Sequence, residues 1–220
     1  MRIVVLGATG TTGGYAVSEA LAAGYEVVAY VRNPRAVQPR AGLTVMDGSV
    51  EDVAAMRGAF EGAEAVVYCL GVRTSVRSVF RKTDFQQRTL PKVIAAINAA
   101  GVRRFVLLSS FGVGETRAKG AFIPRFVFHT LFGGRLFADK AIAERALSDC
   151  RANWTAVYPV SLKNGPVDSA WDLLPLDDVR HVPGNPMLTF ATVAKVLVDL
   201  ISDDSRNRRK LLLTAHGAWK

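Results

Sequence analysis

The stretch that decides the fold is residues 1–31, MRIVVLGATGTTGGYAVSEALAAGYEVVAYV. Its apolar run Ile3–Leu6 breaks into the loop Gly7-Ala8-Thr9-Gly10-Thr11-Thr12-Gly13-Gly14, which leads into a helical segment and a second apolar run over 26–31. This order predicts a strand, a tight loop, a helix that Gly24 ends, and a second strand. Glycines allow positive φ and close approach of the backbone, so N–H groups at the helix start can bind a diphosphate. The loop therefore predicts dinucleotide binding, and the alternative is a glycine-rich turn with no ligand.

The rest of the chain alternates apolar runs with helical segments, which predicts an α/β fold with a parallel sheet covered on both faces. Further strands are predicted over 43–46, 64–70, 105–108, 154–158 and 210–214, and further helices over 51–60, 85–100, 137–147 and 190–201. Because Pro91 opposes one unbroken helix, the regular part of 85–100 is expected to start there. The fold class is a Rossmann-type, doubly wound parallel sheet with a small C-terminal substrate-binding appendage.

The length of 220 residues fits one domain over 1–220, with 111–137 and 161–189 as substrate-side insertions. Segment 163–187 is long for a connection and is interpreted as a lid or binding wall. The Phe-rich segment 121–136 is interpreted as an inner wall of the substrate pocket or a dimer face, with attachment to a membrane surface as the weaker alternative.

The net charge of +9 comes from basic residues that are scattered along the chain. No helix carries them as a stripe with interleaved aromatics, so we expect anionic small ligands and not nucleic acid. Cys69 and Cys150 are far apart in sequence, which favours a reducing compartment. The chain enters a strand directly after Arg2 and has no apolar run of membrane-spanning length, so a cytoplasmic protein is expected. His129 has no plausible metal partners among three histidines, and no metal site is expected.

The end of the second strand predicts the cofactor. An NAD-selective site usually places a carboxylate there for the ribose hydroxyls, whereas a 2′-phosphate favours a guanidinium. This chain has Arg32, with Arg35 close behind, and no carboxylate. NADP(H) is favoured, and the alternative is two arginines on a solvated loop.

Ligands of such sheets bind at the carboxyl ends of the strands. In this chain those ends are Gly7–Gly13, Arg32, Asp47–Val50 and Gly71–Arg73, and the fifth strand ends in Ser109-Ser110. The two serines are predicted to face the nicotinamide end of the crevice, although serines after a strand are also common turn formers. Lys140 and Glu144 are four residues apart in a helical segment, which by itself indicates a surface ion pair.

Short motifs from Met1 to about Leu200 carry a resemblance to a known family. The motifs are Gly7–Gly13 with its three-residue glycine spacing, Val31–Pro34, Leu70–Arg73, Gly101–Phe105, Ser109-Ser110, Asp139-Lys140 through Glu144, and Thr155–Pro159. On them the chain resembles the atypical short-chain dehydrogenase/reductases of the NAD(P)-binding group that includes biliverdin/flavin reductase B and the NmrA-like proteins.

The resemblance implies a role for each matched position. Thr9, Gly10, Thr11, Thr12 and Gly13 would hold the diphosphate, and Arg32 with Arg35 the 2′-phosphate. Leu70, Gly71 and Arg73 would lie along the cofactor, Ser110 near the nicotinamide amide, and Lys140 on the nicotinamide ribose. Pro159 and Val160, with Ser161, would close over the ring.

Two positions depart from the family pattern. The acid after the third strand, which contacts adenine, is replaced by Ser49, with Asp47 displaced before Gly48. The tyrosine four residues before the lysine in Tyr-x-x-x-Lys is replaced by Leu136. An ordinary ketone reductase needs that phenol to protonate the developing alkoxide.

These features predict an NADPH-dependent reductase of a planar conjugated acceptor, with free flavin (FMN or FAD) first and a quinone or tetrapyrrole next. Ser110, Lys140 and Ser109 are the candidate catalytic residues. The alternatives are a non-catalytic NADP-binding redox sensor of NmrA type and an NADP-dependent epimerase or isomerase. A monomer or homodimer is expected.

Overall fold

The computed structural model describes residues 1–71, 84–120 and 134–220, with side chains in the last range from Leu136 onwards. The strands of these residues are β1 (Arg2–Leu6), β2 (Glu26–Val31), β3 (Leu43–Asp47), β4 (Ala65–Tyr68), β5 (Arg104–Leu108), β6 (Asn153–Pro159), β7 (Ser161–Lys163), β8 (Trp171–Pro175), β9 (Met187–Thr189) and β10 (Arg209–Ala215). The α-helices are α1 (Thr11–Ala22), α2 (Val53–Phe60), α3 (Phe85–Ala100), α4 (Gly134–Ala143) and α5 (Phe190–Asp199).

Eight of the described strands form one sheet in the order β3-β2-β1-β4-β5-β6-β10-β8, and β7 pairs with β9 in a separate ribbon. Every pair in the large sheet is parallel except the edge pair β10 and β8. The order reverses between β1 and β4, which is the Rossmann arrangement. The predicted fold class is confirmed.

The sheet centre is apolar because these strands are buried on both faces. Ile3, Val4, Val5 and Leu6 of β1 are completely buried, and so are Ala65, Val66 and Val67 of β4. Helix α1 packs against α5, while α3 packs against both α2 and α4. The near-continuous hydrophobic runs in the sequence therefore correspond to strands between helical layers.

Two sequence predictions are corrected. Helix α3 begins at Phe85 and continues through Pro91, because the carboxylate of Asp139 accepts hydrogen bonds from the N–H groups of Gln86 at 3.0 Å and Gln87 at 3.1 Å. This cap from α4 stabilises the first turn of α3 and offsets the main-chain hydrogen bond that Pro91 cannot donate. The segment 163–187 is not only a connection, because β8 within it extends the sheet by pairing with β10.

The predicted helix over 137–147 also differs, since α4 ends at Ala143 and a 3-10 helix follows over Glu144–Asp149. In the part of the chain that the structure describes, none of the helices has the length and apolar character that a membrane crossing requires. The Phe-rich segment 121–136 lies almost entirely outside the described residues.

Candidate functional site

The candidate site lies at the carboxyl ends of β1 and β4, where the strand order reverses. Gly7 follows β1 with φ of 84°, in the left-handed region. A Cβ on Gly7 would lie 2.6 Å from the carbonyl oxygen of Cys69, directly after β4. Only glycine fits this position without displacing backbone, so the loop lies against the end of the neighbouring strand.

The N-terminus of α1 is open to an anion. Gly10 is the N-cap, no side chain accepts a hydrogen bond from the first turn, and that turn has no acidic residue. A Cβ on Gly13 would lie 2.1 Å from the Gly7 carbonyl oxygen, so the helix start and the loop are in direct backbone contact. Thr9, Gly10 and Thr11 are exposed beside it. Uncapped N–H groups at the positive end of a helix fit a diphosphate.

The ends of β2 and β3 form the next part of the crevice. Arg32 and Arg35 are both exposed, and the described residues offer neither of them an ion pair within 4.0 Å. Two unpaired guanidiniums after β2 fit a 2′-phosphate.

The aromatic ring of Tyr30 fixes the turn after β3. A Cβ on Gly48 would lie 2.1 Å from the Tyr30 hydroxyl oxygen, and that hydroxyl donates to the carbonyl oxygen of Ser49 at 3.1 Å. The hydroxyl oxygen of Ser49 accepts from the N–H of Glu51 at 3.2 Å, which leaves its proton free to donate. Asp47 is exposed at the end of β3. Both adenine candidates therefore lie at the carboxyl end of β3.

The end of β4 is held by a buried amide. The Tyr68 hydroxyl donates to Oε1 of Gln86, and Nε2 of Gln86 donates to the Leu70 carbonyl oxygen at 2.9 Å. Gln86 thus fixes the Leu70-Gly71 turn from the first turn of α3, and Gly71 is exposed. Arg73, predicted to lie along the cofactor, is outside the described residues.

Lys140 and Ser110 meet at the end of β5. Nζ of Lys140 donates to Oγ of Ser110 at 3.1 Å, and Ser110 is half-buried. Burial lowers the pKa of Lys140, while Glu144, Cys69 and Asp139 oppose that shift. An ammonium group and a hydroxyl in contact can donate hydrogen bonds to ribose or carbonyl oxygens.

Ser109 has a different environment from Ser110. It is 2% exposed, and its hydroxyl donates to Oε1 of Glu144. The Tyr158 hydroxyl donates to the second carboxylate oxygen of Glu144 at 2.7 Å. The surface ion pair expected between Lys140 and Glu144 is therefore wrong, because Lys140 bonds to Ser110 and the Glu144 carboxylate is held by two hydroxyls.

The phenol that the family pattern requires has no replacement among these groups. Leu136 stands at its position and is half-buried. Tyr158 is nearby in the fold, but burial and the Glu144 carboxylate raise its pKa far above the ordinary value, and its proton is donated to Glu144. Tyr158 is therefore a weak acid that is already committed to another partner. The thiol of Cys69 is also inert, since burial raises its pKa to about 12.

The segment after β6 is fixed by main-chain bonds. The Pro159 carbonyl accepts from the N–H of Phe111 at 2.8 Å, and the N–H of Val160 donates to the Leu213 carbonyl at 3.0 Å. Pro159 and Val160 are both buried. They lie at the carboxyl end of β6, which pairs with β5, and are therefore a candidate wall beside Ser110.

A family model described as NAD(P)H-binding matches residues 7–204. The chain belongs to this NAD(P)H-binding family. The match spans the glycine loop and every strand of the large sheet except β1 and β10. The cradle at the start of α1 lies within the matched residues and fits a dinucleotide site of this fold.

One relative in sequence and two solved structures are similar to this chain. The photosystem II assembly factor Ycf39 of Synechocystis is 30% identical over 225 residues, an alignment that includes 100% of this chain and 64% of the relative. A short-chain dehydrogenase/reductase of Veillonella parvula solved with NADP has a TM-score of 0.80 and 17% identity, covering 100% of this chain and 96% of that one. ChuY, an anaerobilin reductase of Escherichia coli O157:H7, has a TM-score of 0.80 and 20% identity, covering 99% and 98%. The two solved structures show the shared fold.

Sequence reasoning missed the contacts of three groups at the candidate site: the buried Gln86 and Tyr158 and the half-buried Glu144. Each acts through a partner distant in sequence, and the only local signal was the spacing of Lys140 and Glu144. Within the described ranges 1–71, 84–120 and 134–220, no three His, Cys, Asp or Glu residues are grouped as a metal site would require. His129 lies outside those ranges.

Proposed function

We propose that this chain is an NADPH-dependent reductase that transfers hydride to a planar conjugated acceptor, with free flavin as the first candidate. The observation that carries the proposal is the pairing of Lys140 with Ser110 at a sheet edge where the tyrosine position is Leu136. The chain has two groups that would orient a nicotinamide, and Leu136 stands where the family pattern has the phenol that protonates an isolated alkoxide.

Each part of the cofactor has matching residues in the chain. The N–H groups at the start of α1 would bind the diphosphate, Arg32 and Arg35 the 2′-phosphate, and Ser49 or Asp47 the adenine. Lys140 would donate to the nicotinamide ribose and Ser110 to the carboxamide. When bound, NADPH supplies the hydride. The wall of Pro159 and Val160 would exclude water from that end of the crevice.

The absence of a strong acid among the described groups selects the acceptor class. A ketone needs a proton delivered to one oxygen as the hydride arrives. Flavin, quinone and tetrapyrrole delocalise the incoming charge over a ring system, so orientation and proximity suffice and water completes protonation. The surplus of basic residues would attract a phosphorylated flavin.

The second candidate is a non-catalytic NADP-binding module that signals to a protein partner. It is favoured by the relative at 30% identity, whose name describes an assembly factor and no reaction. In that case Lys140 and Ser110 would hold the cofactor without turnover.

Consumption of NADPH in the presence of FMN, a quinone or biliverdin, followed by absorbance, tests the proposal. We expect turnover with at least one acceptor and a loss of about tenfold or more in kcat/KM in S110A, the size expected for one lost hydrogen bond to a polar partner. S148A is the matched control, because Ser148 is exposed and bonds only to neighbouring residues. Tight NADPH binding without turnover on every acceptor would support the non-catalytic module instead.

A further inference from the structure

The carboxylate of Glu144 bonds to Ser109, the residue adjacent in sequence to the Ser110 that Lys140 contacts. Glu144 follows α4 directly and comes four residues after Lys140, so the two side chains share one face of the helical segment. Its oxygens accept from the hydroxyls of Ser109, at the end of β5, and Tyr158, near the end of β6. Two hydroxyl donors on different strands thus fix the direction in which this charge points.

Two cations, Lys140 and Lys210, act on the Glu144 carboxylate. Burial raises the pKa of Glu144, whereas the hydrogen bonds from Ser109 and Tyr158 and the charges of Lys140 and Lys210 lower it. Lys210, on β10, is already paired with Glu115 at 2.7 Å. Lys140 has its hydrogen bond to Ser110, and the described structure gives it no carboxylate within 4.0 Å.

Lys140 needs such a partner, because burial alone would favour its neutral amine. Glu144 is the leading group that opposes the loss of its proton, ahead of Cys69 and Asp139. The Asp139 carboxylate is occupied as the cap of α3, and the Cys69 thiol stays protonated since its pKa is raised.

We infer that Glu144 is a positioning residue whose carboxylate, held by Ser109 and Tyr158, keeps the Lys140 ammonium charged and directed at Ser110. The inference rests on the proposed function for the role of Lys140 at the nicotinamide ribose. The effect of the Glu144 carboxylate on the protonation of Lys140 does not need the cofactor, so it can be measured in the free protein.

The test is an NMR titration of the Lys140 side chain, observed at Nζ and Cε and assigned with K140R, in the free protein. In E144Q we expect the Lys140 midpoint to fall by about one pH unit, the size expected when an opposite charge close to a buried group is removed. E144D keeps the charge and should restore most of the midpoint. E61Q is the matched control, because Glu61 is an exposed carboxylate paired with Arg57, and it should leave the midpoint unchanged.

NADPH binding against pH provides the second readout. The affinity should fall on the basic side as Lys140 loses its proton, and that fall should occur at lower pH in E144Q. An unchanged Lys140 midpoint in folded E144Q, or equal shifts in E144Q and E61Q, would overturn the inference. If E144Q does not fold, E144D is used as the test. Because E144D retains the negative charge, a lower Lys140 midpoint in that variant would also overturn the inference. Absence of NADPH binding in every protein would instead overturn the proposed function and leave the titration result standing.

Discussion

Gly7 and Gly13 are in backbone contact across the turn between β1 and α1, so that a Cβ on Gly13 would lie 2.1 Å from the Gly7 carbonyl oxygen. The same Gly7 faces the Cys69 carbonyl oxygen on its other side. The loop is therefore clamped between the first helix and the end of β4. This contact fixes where the uncapped N–H groups of α1 point, and the proposed diphosphate site depends on it.

Substitution G13A should displace the loop and weaken NADPH binding by about tenfold or more, since a shift of the helix start misdirects several N–H groups at once. G14A is the control. A Cβ on Gly14 would be 3.5 Å from the Ala8 carbonyl oxygen, which is an ordinary contact, and alanine favours the helix. Titration of NADPH by fluorescence, with circular dichroism to establish folding, measures both variants. Equal affinity in G13A and the unsubstituted protein would contradict the assignment of the cradle.

Substitution R32A should reduce the preference for NADPH over NADH by roughly tenfold to a hundredfold, because a charge-assisted hydrogen bond to phosphate is lost. The dissociation constants of both cofactors give the ratio. R40A is the control, since Arg40 is an exposed arginine of the same region that already donates to Ser18 at 2.7 Å. If the preference for NADPH is unchanged in R32A but falls in R35A, the 2′-phosphate is bound by Arg35 and not by Arg32. If the preference is unchanged in both variants, this loop does not select NADPH.

The fold was predictable from sequence because its signals are local. The apolar run Ile3–Leu6, the glycine loop and the alternation of helical segments each follow from neighbouring residues. The site residues that follow the strands were also predictable, because the carboxyl ends of parallel strands lie together at one end of the sheet. The contacts that fix the site are not local: Ser109 and Glu144 are 35 residues apart, and Asp139 caps a helix start that precedes it by 53 residues. Neither residue has a sequence pattern that identifies its partner.

The buried guanidinium of Arg104 also joins residues that are distant in sequence, and we expect its replacement to lower stability strongly. Arg104 is 4% exposed and donates to the carbonyl oxygens of Leu200 and Asn153 and to the side chains of Asn207 and Thr155. R104M should lower the free energy of unfolding by about 3 kcal/mol, because buried acceptors at the end of α5 lose their donors.

Urea unfolding measures that change, and R103M is its matched control. Arg103 is the adjacent arginine and is exposed, so its replacement should change stability by no more than about 0.5 kcal/mol. Similar losses in the two variants would indicate that the charge matters only through the net charge of the protein.

The carboxylate of Asp168 makes stability depend on pH. Burial acts to raise its pKa, but hydrogen bonds from the Thr189 N–H at 2.8 Å and the Thr192 hydroxyl at 2.7 Å outweigh burial, and the pKa is lowered. A group with a depressed pKa in the folded state stabilises above its unfolded pKa, and that stabilisation is lost as pH falls through the folded value. The loss therefore belongs below the ordinary aspartate value of about 4.

D168N should lower the free energy of unfolding at neutral pH by roughly 1–2 kcal/mol, because the start of α5 loses a charged acceptor. It should also lose less stability than the unsubstituted protein when the pH is lowered into the acid range. D199N is the control, since Asp199 pairs with Lys195 on an exposed helix face and such pairs contribute little. Urea midpoints of the three proteins are measured across that pH range. If D168N and the unsubstituted protein lose equal stability on acidification, the Asp168 carboxylate is not the group that titrates.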